Sequence, residues 1–347
     1  MAQSNRTDIE KLGEFGLIDH LTKDIEVNKD FTIRGVGDDA AVLRNVSTTT
    51  VVTTDMLVEG IHFDLMYQPL KHLGYKSVAV NVSDIYAMNA RPRQITVSVA
   101  ISNRFSVEAL DELYEGIRKA CEFHEVDLVG GDTTSSLSGL VISITAIGQA
   151  DVEKLVYRSG ARPGDLLVTT GDLGAAYIGL QLLEREKTIF MENPEVQPDL
   201  ENQDYLIGRI LKPDARKDIF EEMERAQLIP TSMIDISDGL ASELFHICDR
   251  SGVHGYILED MIPIAQETRE MAFKFNIDPT TAALNGGEDY ELLFTIDPGD
   301  KAIVQKMADA TIIGEITEPG SGVLLYSKAG LRHPLEAQGW QHFGSRK

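Results

Sequence analysis

Val51-Val52-Thr53-Thr54-Asp55-Met56-Leu57-Val58-Glu59-Gly60-Ile61-His62 is the stretch on which the reading of this chain turns. The β-branched run from Thr48 to Thr54 predicts a strand whose last polar residues stand at a sheet edge. Two hydroxyls, a carboxylate and, seven residues on, an imidazole follow within a short reach. Oxygen ligands of this kind suit a hard cation such as Mg²⁺. Thr-Thr-Asp at a strand end also serves as a turn or a helix cap. Its weight therefore comes from four further acidic groups: Asp38/Asp39, Asp84, Asp132 and Asp235/Asp238. Each lies beside glycine, a strand end or a helix start, where functional loops concentrate.

Outward from this stretch, Gly13 to Lys23 reads as a short amphipathic helix, and Gly35-Val36-Gly37 as a turn before a small apolar strand. Leu70 to Met88 has helical periodicity, with Leu73, Val78, Val82 and Ile85 as its apolar stripe, and it carries Asn81 and Asp84. Pro92 forbids its continuation. A strand from Gln94 to Ile101, a helix from Val107 to Phe123 and a strand from Leu140 to Ile147 follow. The order predicts an α/β chain of the α+β kind, a sandwich with helices on one sheet face. A boundary near residue 150 divides it into domains 1–150 and 151–347. In the second part strands are expected at 166–170, 233–236 and 292–296, with closing strands near 312–314 and 322–326. Helices are expected at 175–183, at 213–227 and from 240 through Cys248. Residues 184–203, polar and holding Pro194 and Pro198, read as a surface excursion.

A chain of 347 residues with 43% hydrophobic and 25% charged residues can bury a sizeable core and form two domains. The formal charge of −23 argues against nucleic acid and against an anionic membrane surface as partners. No run reaches about 18 apolar residues and the N-terminus lacks an apolar signal core, so a cytoplasmic protein is expected. Cys121 and Cys248 have no Cys or His partner at zinc-site spacing and read as buried thiols.

If the acidic groups converge, five to six carboxylates in one cavity repel one another unless divalent cations intervene. Mg²⁺ prefers a few carboxylates plus water and substrate phosphate, which points to a nucleotide polyphosphate site. Known nucleotide motifs do not explain it. There is no GxxxxGK[ST], Gly35-Val36-Gly37 lacks a third glycine, and kinase HRD and DFG signatures are absent. Asp235-Ile236-Ser237-Asp238-Gly239 begins like a calcium loop, but glycine falls fifth and His246 stands where a glutamate is required.

Nine segments in order carry a resemblance: GEFGLI (13–18), GVGDDAAV (35–42), TTDMLVEGIHF (53–63), VNVSDIYAMNA (80–90), LVGGDTT (128–134), YRSGARPGD (157–165), DYLIGR (204–209), IDISDGL (234–240) and NGGEDYELLF (285–294). Over nearly its whole length the chain resembles the thiamine-monophosphate kinase family, in the superfamily of aminoimidazole-ribonucleotide synthetase. The resemblance implies a two-domain fold like that of aminoimidazole-ribonucleotide synthetase, a homodimer whose N-terminal sheets join in a barrel, and transfer of the γ-phosphoryl group of ATP to thiamine monophosphate. It also implies roles by position. Asp39, Thr53, Thr54, Asp55, Asp84, Asp132, Asp235 and Asp238 would form the Mg²⁺ shell. Tyr114, Gly131, Asp132, Arg158 and Ser237 would lie on ATP, and His62, Glu288 and Trp340 on the thiamine side. Asp55, Asp84, Asp132, Arg158 and Asp235 would carry the catalysis.

These roles are coherent as chemistry. The attacking oxygen belongs to a phosphate already ionised at neutral pH, so no strong base is needed. The obstacle is repulsion between anions, which cations and positioning relieve. Among superfamily alternatives, a selenophosphate synthetase is expected to carry a reactive residue near its N-terminus, yet no Cys precedes Cys121. A hydrogenase-maturation dehydratase is expected to end in Cys, whereas this chain ends Gly344-Ser345-Arg346-Lys347. A synthetase of the parent type is not expected to carry GGEDYEL. An acidic metal-binding scaffold without turnover is the alternative of another class.

Overall fold

The computed structural model describes residues 32–34, 38–44 and 49–336. The expected helix at 13–23, the glycine turn at 35–37 and Trp340 lie outside the described residues.

The first sheet holds β1 (Thr32–Arg34), β2 (Ala41–Arg44), β3 (Thr49–Val58), β4 (Arg91–Ile101), β5 (Asp127–Ser135) and β6 (Leu140–Ala150), in the spatial order β1-β2-β3-β6-β4-β5. The opening stretch is indeed a strand, and it runs past Asp55 to Val58, paired antiparallel with β6 from Thr49 to Val58. Pro92 lies within β4 at an irregularity of its pairing, where the missing N–H is tolerated. β5 runs parallel to β4, which requires a crossover; that crossover is α2 (Val107–His124). Gly130 and Gly131 sit inside β5 rather than in a turn. A Cβ on Gly131 would stand 1.8 Å from the Val97 carbonyl oxygen, so the residue permits the β4–β5 approach.

Helix α1 (Leu70–Ala87) packs between this sheet, α2 and the second half of the chain. It is therefore buried almost all round rather than along one stripe. It meets α2 where Gly74 and Gly116 face the opposite backbone. A Cβ on Gly74 would lie 2.0 Å from the Leu113 carbonyl oxygen, and one on Gly116 1.9 Å from that of Lys71.

The second sheet has seven strands: β7 (Leu166–Thr170), β8 (Ser232–Asp235), β9 (His254–Leu258), β10 (Leu292–Ile296), β11 (Ala310–Thr317), β12 (Val323–Tyr326) and β13 (Arg332–Pro334). Their order is β13-β12-β9-β11-β7-β10-β8. The helices here are α3 (Ala175–Glu192), α4 (Asp204–Leu211), α5 (Lys217–Ala226), α6 (Leu240–Ser251), α7 (Gln266–Lys274), α8 (Pro279–Asn285) and the short α9 (Lys301–Val304). No helix among the described residues is long and apolar enough to cross a membrane.

Two readings of the sequence are corrected. Residues 184–192 continue α3 instead of starting an excursion. Glu186 is buried there, binding Arg185 and accepting from the Asp199 N–H at 2.8 Å, so a polar stretch is internally satisfied. The helix expected from Pro213 begins only at Lys217. Buried Arg216 breaks off to pair with Glu291, Asp218 and Asp309.

The two halves share core. Ala87 from α1 joins Val168, Met233 and Phe294 in one buried cluster, while Ala215 and Phe220 pack into the core of the first sheet. This interlock fixes α1 against the end of β8.

Candidate active site

Where α1 meets β8, three carboxylates come together. Asp39, Asp84 and Asp235 each offer an oxygen, and these atoms all lie within 4.8 Å of one another. Asp39 comes from the segment before β2, Asp84 from the last turn of α1 and Asp235 from the end of β8. Neighbouring side chains orient all three. Thr53 Oγ1 donates to Asp84 Oδ2 at 2.6 Å, Ser83 Oγ donates to Asp235 Oδ2 at 2.6 Å, and Arg158 forks onto Asp39. Asn81, one turn before Asp84, accepts the Asp55 N–H at 3.0 Å.

Strand alternation decides between the two threonines. Thr53 and Asp55 share the face toward α1, while Thr54 points to the opposite face, where it donates to the Ile144 carbonyl and accepts from Thr145. The Thr54 side chain is thus not brought to the carboxylates.

The electrostatics follow from burial and like charge. Burial, with Glu288 adding repulsion, raises the Asp55 pKa to about 6. Burial and the neighbouring Asp39 raise Asp235 to about 7. Burial, then Asp55, Asp235 and Asp39, push Asp84 well above the usual carboxylate range. Burial works against the charge of Arg158, but Asp39 more than offsets it and holds the guanidinium above its ordinary pKa.

A cavity of about 990 Å³ opens over this group and extends between the two halves. Asp55, Asp84, Asp235, Ser237 and Asp238 contribute to its wall, and so do His62 and Glu288. His62 Nδ1 accepts the Val58 N–H at 3.0 Å, which places the neutral ring's proton on Nε2. The loop bearing Glu288 is strapped to the β8 end: Glu288 N–H donates to the Ser237 carbonyl at 2.7 Å and Tyr290 N–H to that of Ile236 at 2.9 Å.

Other expected residues lie apart within this chain. Tyr114 is half-buried on α2 against the first core. Asp132 lies on β5. Register links Asp55 through Ile144 and Val97 to Gly131, so three strand spacings, about 14 Å, separate Asp55 from the row beside Asp132.

Lys76 and Glu243 escaped the sequence reading. Lys76, Val80 and Asp84 follow one another at four-residue spacing and all line the cavity, a helical signal present in the sequence. Glu243 is buried on α6 and accepts the Asp238 N–H at 2.9 Å. Only the fold makes that contact visible.

Two sheets, helices of the first half on one face, and a carboxylate group at their junction define a class. Residues 37–150 match the family model for the AIR synthase related protein N-terminal domain, and residues 162–327 that for its C-terminal domain. The thiamine-monophosphate kinase of Aquifex aeolicus (strain VF5) is 36% identical over 335 residues, covering 96% of this chain and 99% of that one. That of Escherichia coli (strain K12) is 31% identical, with the same coverage. A solved structure of AaThiL complexed with AMPPCP and TMP superposes with a TM-score of 0.82 at 34% identity, covering 98% of this chain and 100% of that one. The chain belongs to the thiamine-monophosphate kinase family. A HypE–HypF complex at 20% identity and a TM-score of 0.71 shares the fold alone.

Proposed function

We propose that the protein transfers the γ-phosphoryl group of ATP directly, in line, to the phosphate of thiamine monophosphate, releasing ADP and thiamine diphosphate. The observation that carries this reading is the grouping of Asp39, Asp84 and Asp235 within 4.8 Å, with Asp84 and Asp235 in the wall of a 990 Å³ cavity and Asp39 buried behind it. Family membership and the ligands of the AaThiL complex support the choice of substrates.

The donor set fits Mg²⁺. It consists of hard carboxylate oxygens, with Asp84 and Asp235 pushed toward neutrality by burial and by neighbouring carboxylates, a repulsion that a divalent cation removes. Asp39, Asp84 and Asp235 would hold such ions, with Asp55 and Asp238 on the same cavity wall. Bound there, several ions would neutralise charge on the phosphates and draw the two anions together.

The chain's own residues do the rest. Arg158 orients Asp39, Thr53 orients Asp84, and Ser83 orients Asp235. No histidine or lysine needs to remove a proton, because the attacking oxygen of the acceptor phosphate is already ionised. On this reading Ser237 faces the nucleotide, and His62 and Glu288 face the thiamine portion. Aspartate Asp132 and Tyr114 would reach a nucleotide only from a second copy of the chain. β5 is exposed along its whole length, including Leu128 and Val129, as an unpaired barrel edge would be. We therefore read the active form as a homodimer, and place the reaction in the cytoplasm, where ATP is the phosphoryl donor.

Phosphorus NMR of the pure protein with ATP, Mg²⁺ and thiamine monophosphate tests the reading. ADP and thiamine diphosphate growing in step, and halted by a chelator, are expected. ADP with free phosphate and no thiamine diphosphate would point to another acceptor. No loss of ATP would leave a metal-binding role.

A further inference from the structure

Lys76 is 1% exposed on α1, an unusual place for a lysine. A buried ammonium persists only when paired and hydrogen-bonded. Its Nζ makes an ion pair with Glu288 Oε2 and donates to the Ile210 carbonyl at 3.3 Å. Three parts of the fold therefore meet on one nitrogen: α1, the end of α4 and the loop after α8.

That loop is unusual in its own right. Glu288 has φ +61°, between Gly287 at +69° and Asp289, with Tyr290 at +52°. Backbone in this region is sparsely populated by residues with side chains and persists where its surroundings impose it. A Cβ on Gly287 would stand 2.5 Å from the Ser237 carbonyl oxygen, so the loop is pressed against the segment following β8.

Glu288 Oε2 is buried against Lys76, while the residue as a whole lines the cavity. What it presents to a ligand is therefore the remainder of its carboxyl group, Oε1 above all. Lys76 also stands two helical turns before Asp84 on the same face of α1. One helix face thus holds both a metal-site carboxylate and the cation that aims the acceptor-side carboxylate.

We propose that Lys76 is a positioning residue for the acceptor substrate: it holds Glu288 Oε2 so that Oε1 meets an amino group or a ring cation of the bound acceptor. This rests on the reading that Glu288 faces the thiamine portion. On this proposal the removal of Lys76 acts through Glu288, its ion-pair partner.

Initial rates for the wild type, Lys76→Met, Glu288→Gln and the double variant, with each substrate varied in turn, test this. Lys76→Met is expected to raise KM for thiamine monophosphate by roughly tenfold or more while KM for ATP moves by less than about twofold. In the Glu288→Gln background the same change is expected to add little, because the partner is already lost. An equal loss in both backgrounds, or a fall in kcat with both KM values unchanged, would overturn the proposal. If Lys76→Met does not fold, the double variant, which removes both charges, is compared with Glu288→Gln alone, and a further large rise in KM there overturns it. Unchanged KM in Glu288→Gln refutes the placement of Glu288, and absence of thiamine diphosphate with the wild type refutes the reaction itself.

Discussion

Arg158 grips Asp39 through two hydrogen bonds, Nε to Oδ2 at 2.9 Å and Nη2 to Oδ1 at 2.6 Å. Asp39 precedes β2 in the first half, whereas Arg158 lies in the segment leading to β7. The same arginine's backbone N–H reaches Asp38 Oδ1 at 3.0 Å, so both carboxylates of the pair are tied to it. A forked contact fixes the plane of a carboxylate as a single ammonium cannot.

Arg158→Lys keeps the charge and loses the fork. Turnover should fall by roughly 10²–10³-fold, the scale seen when one preorganised donor is removed. Arg158→Ala leaves Asp39 buried beside other carboxylates and should also lower thermal stability in chelator, with Mg²⁺ restoring part of it. Steady-state rates and thermal melts with and without Mg²⁺ check both.

The metal-free protein should become less stable as pH rises. Asp55 and Asp235 have folded pKa values of about 6 and about 7, raised from 3.8. Between the unfolded and folded values the native state holds protons that the unfolded state has lost. The contribution of these two carboxylates to stability therefore falls from about pH 4 up to about pH 7, and Asp84, raised further, carries the fall beyond that. His124 and His246, lowered by burial to about 3 and about 4, oppose it below about pH 6.5. Mg²⁺ binding needs the deprotonated carboxylates, so its stabilising effect should grow across the same window. Melting temperatures at pH 5 and pH 8, with EDTA or with Mg²⁺, would show the two opposite slopes.

Asp84→Asn removes one of three crowded carboxylates. In chelator its melting temperature should match or exceed that of the wild type, since burial and like charges push the Asp84 pKa far up. Its gain on adding Mg²⁺ should shrink and turnover should vanish. A calorimetric Mg²⁺ titration alongside the melts separates lost binding from lost folding.

Asp132→Asn should abolish turnover without changing the fold, although Asp132 stands away from the other aspartates of its own chain. If a second copy supplies it, mixing Asp132→Asn with Asp84→Asn subunits should recover roughly a quarter of wild-type activity by random pairing in a two-fold dimer. Val129→Glu, at an exposed site on β5, should lower the molecular mass measured by light scattering and the activity together.

Gly116→Ala tests the packing that supports α1. The added Cβ would meet the Lys71 carbonyl oxygen at 1.9 Å, so α1 and α2 must move apart. A loss of about 1–3 kcal/mol is expected from urea unfolding in chelator. Because α1 carries Asp84 and Lys76, the Mg²⁺ dependence should weaken as well.

The amino-acid sequence by itself determined a good deal. The β-branched run at 48–54, the helical period of 70–88 and the apolar strand at 292–296 are local signals, and the structure has an element at each. The sequence also carried the acidic residues in their glycine-rich settings, and nine ordered segments that identify the family. Glu184 to Glu192 misled because a polar helix looks like a loop until the partners of Glu186 are known. Tertiary structure alone decided that Asp39, Asp84 and Asp235, up to 196 residues apart in the chain, stand within 4.8 Å. It alone turned Thr54 away, left Asp132 about three strands off, and aimed the buried Lys76 at Glu288. Local propensity acts over a few residues, whereas ligand geometry, burial and charge repulsion depend on which distant segments the core brings side by side.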